Sequence, residues 1–106
     1  MIKKPLVSNA LQTFMQEALD HQKDWMEAVQ NLETASKLDA KTGELAYIAV
    51  LASARLEGGL PFHVKHAKSL GATREEIISA VLVGLPAVGN TVIQALPIAL
   101  NAFDSE

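Results

Sequence analysis

The segment AKTGELAYIAVLASARLEG, from Ala40 to Gly58, constrains the fold more than any other. Placed at 100° per residue, Leu45, Ala46, Ile48, Ala49, Val50, Leu51, Ala52 and Ala54 point in every direction around a helix. A helix that is apolar all round is one that is covered all round. Folding a chain of 106 residues removes roughly two-thirds of its surface from water, enough for one modest core. Such a core does not wrap a helix of about five turns. The pattern therefore predicts that part of this helix packs against another subunit, in a homo-oligomer.

The remaining segments also read as helices. Hydrophobic residues make up 49% of the chain and aromatic residues 5%, so the apolar surface is mostly Ala, Leu, Val and Ile, which suits close helix packing rather than a sheet sandwich. From Ser8, a suitable N-cap, Leu11, Phe14, Met15, Ala18, Gln22, Trp25, Met26, Val29 and Leu32 recur at spacings of three and four. They predict one helix from Asn9 to about Ala35, or two joined near Asp20 to Asp24. Gln16, Glu17, Lys23, Glu27 and Gln30 form its solvated side. Asp39 is a second N-cap, and Gly58-Gly59 is placed to end the helix that follows. Leu60-Pro61 opens the next helix and Gly71 closes it. Thr73-Arg-Glu-Glu76 is a capping box that starts another. Gly84-Leu-Pro-Ala87 breaks or kinks the chain, and a last helix from about Val88 to Phe103 must absorb Pro97 as a kink. The short connections predict a single all-α domain over residues 1–106, a bundle of about five to six helices.

The charge pattern narrows the partners. The net charge is −3, and Lys3-Lys4 is the longest basic run, so no stripe suited to nucleic acid or to an anionic membrane is present. No apolar run approaches the ~20 residues that span a bilayer. The start MIKKPLVSNA lacks an apolar h-region and a small-residue cleavage site, so the expected location is cytoplasmic. The chain has no cysteine, which excludes disulfides, thiolate metal sites and a thiol nucleophile.

The stretch EGGLPFHVKHAKSLGATREEI carries two of the three histidines. With Leu60 at 0°, Val64, Ala67 and Leu70 share its side, His63 lies on the same side at about 300°, and His66 borders it about 60° further round. Both imidazoles thus stand at the edge of the buried surface, within reach of one another across a turn. An imidazole there serves as general acid or base near neutral pH, or is simply a core-edge residue satisfied by one hydrogen bond. Two histidines at this spacing are too few for zinc, and no HExxH spacing occurs, so no metal and no cofactor are expected. Glu44 and Tyr47, one turn apart in an apolar helix, need partners of their own. Either Glu44 bridges to Lys41 or Arg55, or Glu44 or Tyr47 faces His63 or His66 and tunes its protonation.

LDAKTGELAYIAVLASARLEGG, followed by HAKSLGATREEI and then GLPAVG, resembles the carboxymuconolactone decarboxylase and alkylhydroperoxidase D superfamily over about Leu38 to Gly89. The resemblance implies an all-α fold, often assembled as trimers or hexamers. In the peroxidase branch, a CxxCxxxH motif would put its histidine at His66 and its cysteines at Gly59 and Phe62. Its assisting glutamate would fall at Tyr47, and the typical glutamate after EEI is Ser79. Without a thiolate, that branch's hydroperoxide reduction has no nucleophile. LPFHVKHAKSLGATREEI and GLPAV match the decarboxylase branch better, with His63 at its histidine. That match implies a cofactor-free reaction on a small carboxylated lactone, in which His63 protonates carbon and His66 and Tyr47 stabilise the developing oxyanion. Glu44, Tyr47, His63 and His66 are the candidate site residues. The competing expectation is a relative that keeps the fold to bind small molecules or to assemble, without turnover.

Overall fold

The computed structural model describes residues 8–105, and every element within that range is helical. Lys3-Lys4 and most of the MIKKPLVSNA start lie outside the described residues. The elements are α1 (Asn9–Glu17), α2 (Leu19–Ala35), α3 (Ala40–Ser53), α4 (Leu60–Ser69), α5 (Arg74–Val81), α6 (Leu85–Val88), α7 (Asn90–Ile93) and α8 (Leu96–Asp104). Single 3₁₀ turns at Glu57–Gly59 and Leu82–Gly84 lead into α4 and α6.

One core holds α3, α4, α5 and α8 together. Ile48, Leu51 and Ala52 of α3 meet Leu60, Val64 and Ala67 of α4 and Ile77, Ala80 and Val81 of α5, closed by Val92, Ala95, Ala99 and Ala102. Alanines dominate the α8 face, which lets that helix approach α4 and α5 closely. The C-terminal end of α8 is held to α4 and α5 by polar contacts. Lys65 Nζ donates to the Ser105 carbonyl and Lys68 Nζ to the Phe103 carbonyl, each at 2.6 Å, and Arg74 makes a two-pronged bond to Asp104 at 2.9 and 3.0 Å.

The helix ends show which local signals acted. Asp39 accepts from the Thr42 N–H at 2.7 Å. Thr73 and Glu76 form the reciprocal capping box at 3.1 and 2.9 Å. Gly71, at a φ of 98°, closes α4 in a Schellman arrangement, with Ala72 N–H donating to the Ala67 carbonyl. Gly84 allows the 3₁₀ turn to lie against α3, because a β-carbon there would strike the Ser53 hydroxyl.

Several expectations are corrected. The third helix does not run to Gly58-Gly59. It ends at Ser53, and the left-handed residue that turns the chain is Arg55, with φ of 61° and Leu56 N–H donating to the Leu51 carbonyl. The hydrogen bonds of the last turn can be completed without glycine, at the steric cost of a β-carbon in the left-handed region. Pro97 produces no kink: it sits in the first turn of α8, where a missing N–H removes no helical bond. The chain breaks before it, after Ile93. The N-terminal helix divides at Ala18 rather than near Asp20 to Asp24. Its apolar stripe does not join the core, since neither α1 nor α2 contains a buried residue. The two pack on each other instead, with Phe14 edge-on to Trp25 at 5.6 Å between centroids.

Candidate functional site

The site forms where α3 and α4 cross. On α3, Glu44 and Tyr47 are one turn apart and project on the side of α4. On α4, the buried series Leu60, Val64 and Ala67 sets the rotation of the helix, which carries His63 and His66 to the same side as Glu44. The Glu44 carboxylate takes one imidazole on each oxygen. His63 Nδ1 bonds Oε2 at 2.9 Å, and His66 Nδ1 approaches Oε1 at the longer distance of 3.5 Å. Lys41 does not compete for Glu44, because it pairs with Glu76 across to α5 at 3.0 Å.

Rings enclose the pair. Tyr47 stacks on His63 with centroids 4.3 Å apart and planes 23° from parallel, while Phe62 meets His63 edge-on at 5.2 Å and leans over His66 at 6.1 Å. The side chain of Glu44 is 15% exposed and that of His63 23%, whereas His66 is 47% exposed. Glu44 and His63 therefore form the floor of the site and His66 its rim. Among the described residues, no group of three or more His, Cys, Asp or Glu side chains is arranged to hold a metal ion.

An ionised carboxylate only accepts, so the bond to Glu44 places a proton on His63 Nδ1 and leaves Nε2 as the working nitrogen. In the neutral ring Nε2 is a base, and after protonation it is an acid whose positive charge faces Glu44. The described cations on α4 and α5 are engaged elsewhere. Lys65, Lys68 and Arg74 are all held by the end of α8.

A sequence model of the Carboxymuconolactone decarboxylase family matches residues 20–101. The chain belongs to that family. No curated protein and no solved structure matches it. The match runs from the start of α2 through most of α8, so the family's sequence pattern includes α2 and the α3–α4 crossing but not α1. Within this family member the cysteine-free character is complete. At Gly59, a β-carbon would press on the Leu51 side chain at 3.3 Å.

The structure brings Glu44, Tyr47, His63 and His66 into one cluster. His21, the third histidine, stands on α2 outside it. Phe62 was visible in the sequence only as a position without a thiol, yet its ring touches both histidines. The available signal was its spacing, next to His63 and one turn before His66. A second feature, an apolar groove between α3 and α5, had no sequence signal beyond the all-round apolar character of α3. It is lined by Leu45, Ala46, Ala49, Val50, Ala80 and Val83.

Proposed function

We propose that this carboxymuconolactone decarboxylase family member is a cofactor-free lyase or isomerase acting on a small carboxylated lactone or keto acid. The observation that carries the reading is the Glu44 carboxylate bridging two imidazoles, with the Nε2 side of His63 left for substrate. In the decarboxylation, the bond between the carboxylate and the ring carbon breaks and CO₂ leaves. The electron pair delocalises onto the substrate carbonyl, and the proton on His63 Nε2 then goes to carbon. His63 regains its proton from solvent. His66 and the Tyr47 hydroxyl serve as donors to the carbonyl oxygen while it carries charge. Glu44 orients His63 and supports its protonated form.

The test is CO₂ release from a panel of unsaturated lactone acids and β-keto acids. His63→Ala should reduce turnover by about 10²- to 10⁴-fold, the range for a general acid, and Glu44→Gln by less. Turnover unchanged in His63→Ala would overturn the assignment. A second reading, binding without turnover, is favoured by the openness of the rim, where Tyr47 is 48% exposed. It predicts ring-proton shifts of both histidines on titration with the same acids and no CO₂ from any of them.

The assembly reading is homo-oligomeric. It is supported by α3, a helix with Val50 and Tyr47 exposed and only Ile48, Leu51 and Ala52 buried within the chain.

A further inference from the structure

The cluster at the α3–α4 crossing holds one fixed charge and two that can change. The Glu44 carboxylate, 15% exposed, lies 2.9 Å from His63 Nδ1 and 3.5 Å from His66 Nδ1. With both rings neutral the three groups carry the single negative charge of the carboxylate, and each proton taken on an Nε2 raises the total by one. Lys41, one turn before Glu44 on α3, does not offset that charge, because it is bonded to Glu76. The other groups around α4 are Tyr47 on α3, Arg55 beyond its end, Glu57 in the turn before α4, and Asp104 on α8, itself bonded to Arg74. On α4, Lys65 and Lys68 donate to carbonyls at the end of α8. Carboxyl, phenol, amine and guanidinium side chains ordinarily change charge outside the range from about pH 5 to 8, and imidazole inside it. The histidine pair is thus the part of this set whose charge answers to a ligand near neutral pH.

A carboxylate ligand brought against this cluster meets Glu44 as a like charge. Because Glu44 is largely withdrawn from water, the repulsion is stronger than between two groups in bulk solvent. An anion beside an imidazole also favours the charged form of the ring. Both effects are met when the ligand enters together with a proton. Glu44 occupies Nδ1 of His63, so the proton passes from solvent to Nε2. The added positive charge then stands between the fixed carboxylate and that of the ligand.

We infer that the Glu44–His63–His66 site binds carboxylate anions together with a proton taken up on the histidine pair, so that its affinity for them falls as pH rises through the imidazole range. The inference rests on the proposed carboxylated substrate and adds when the reacting proton arrives. Loss of CO₂ from a carboxylate consumes one proton: the carboxylate carbon departs with both oxygens, and the electron pair left on the substrate is closed by H⁺. Here that proton comes in with the substrate, so the acid is loaded whenever the site is filled. Because the bound form holds more protons than the free form, Kd rises with pH, by at most about tenfold per unit for one proton. A neutral analogue brings no charge and draws in no proton.

Laevulinate, a γ-keto acid whose carboxylate is not placed to leave as CO₂, is the probe, and its methyl ester is the uncharged control. Histidine ring protons followed by NMR give Kd at pH 6, 7 and 8. The acid needed to hold about pH 7.5 on mixing gives the proton count. From pH 7 to pH 8 the Kd of the unmodified protein should rise about three- to tenfold, with up to about one proton taken up per chain. The ring shifts should fall on His63 and His66 and not on His21, which stands on α2 outside the cluster. Glu44→Gln removes the like charge and should bind laevulinate more tightly than the parent at pH 8, opposite to its effect on turnover. Laevulinate binding with a level Kd and no proton uptake, or an ester that takes up as many protons, would overturn this inference and leave the carboxylated-substrate reading standing. A folded Glu44→Gln protein with unchanged or weaker binding at pH 8 would do the same. No shift at His63 or His66 with laevulinate or with any acid of the panel, down to pH 6, would overturn both.

Discussion

The arm of α1 and α2 and the bundle of α3, α4, α5 and α8 invert the usual relation between pattern and burial. The arm has the more regular stripe, with apolar residues at three and four from Leu11 to Leu32, and buries none of them. α3 has no stripe and supplies Ile48, Leu51 and Ala52 to the centre of the core. Periodicity reports which face of a helix needs cover; it does not say that cover comes from the same chain. At 9 residues α1 is too short to stand on propensity alone, and α2, although 17 residues long, has no buried residue to anchor it, so both depend on what packs against them. The arm is therefore the part of the molecule whose order depends most on what lies against it, and the bundle the part that stands by itself.

The largest expected effect separates the two directly. Ile48 is fully buried among α3, α4 and α5, so Ile48→Ala should cost about 2–5 kcal/mol of unfolding free energy, from lost transfer and a cavity that collapses only in part. Leu32→Ala, at a position 70% exposed, should leave the unfolding of a dilute single subunit within about 0.5 kcal/mol of the parent. Urea unfolding at nanomolar concentration measures both. Comparable losses from the two substitutions would mean that arm and bundle unfold as one unit within one chain.

A smaller effect sharpens the same contrast at two helix starts. Thr73 caps α5, inside the bundle, and Ser8 caps α1, in the arm, accepting from the Leu11 N–H at 3.2 Å. Thr73→Ala should lower global stability by about 1 kcal/mol. Ser8→Ala removes a bond of the same type, but from an element that frays separately, so its cost should appear in amide exchange of α1 and hardly in the global transition. Hydrogen exchange followed residue by residue distinguishes the two outcomes.

How much was legible follows from how local each signal is. The Thr73–Glu76 box, the Asp39 cap and the turn at Gly71 are short-range devices, and each forms where the sequence puts it. In the sequence Gly58-Gly59 is the stronger signal for the end of α3, while in the structure the bonds that complete the last turn accept Arg55 in a conformation that seldom hosts a side chain. Pro97 misled for a related reason, since a proline kinks a helix only when it lies in the interior. At the site, Glu44 and Tyr47 were visible as polar groups in an apolar helix. That one carboxylate would receive both imidazoles depended on the rotation of α4 about its axis, which is set by Leu60, Val64 and Ala67 meeting α3 and α8. Lys41, one turn from Glu44, was a plausible local partner, and a contact from α5 removed it.

Acid provides the weakest effect and locates it in the bundle. Asp104 is held below its ordinary range by the hydrogen bonds from Arg74, Glu76 by the Thr73 backbone N–H and then by Lys41, and Asp39 by hydrogen bonds from Thr42. A carboxyl group whose folded-state pKa is depressed binds its proton more readily in the unfolded chain. Its contribution to stability is thus complete above the unfolded values of 3.8 for Asp and 4.5 for Glu, and is lost as pH falls through the lower folded values. All three groups stand at the surface, with the Glu76 side chain 38% and that of Asp104 51% exposed, so each loss is small and screened by salt. Asp104 joins α8 to α5, Glu76 joins α5 to α3, and Asp39 starts α3, so the acid-sensitive part of the fold should be the bundle. Urea midpoints measured from pH 6 down to pH 3 should fall below about pH 4.5, and the fall should be shallower in Asp104→Asn, which has no proton to gain. A midpoint that stays level to pH 3, or an Asp104→Asn profile identical to the parent's, would show that these ion pairs do not help hold the bundle together.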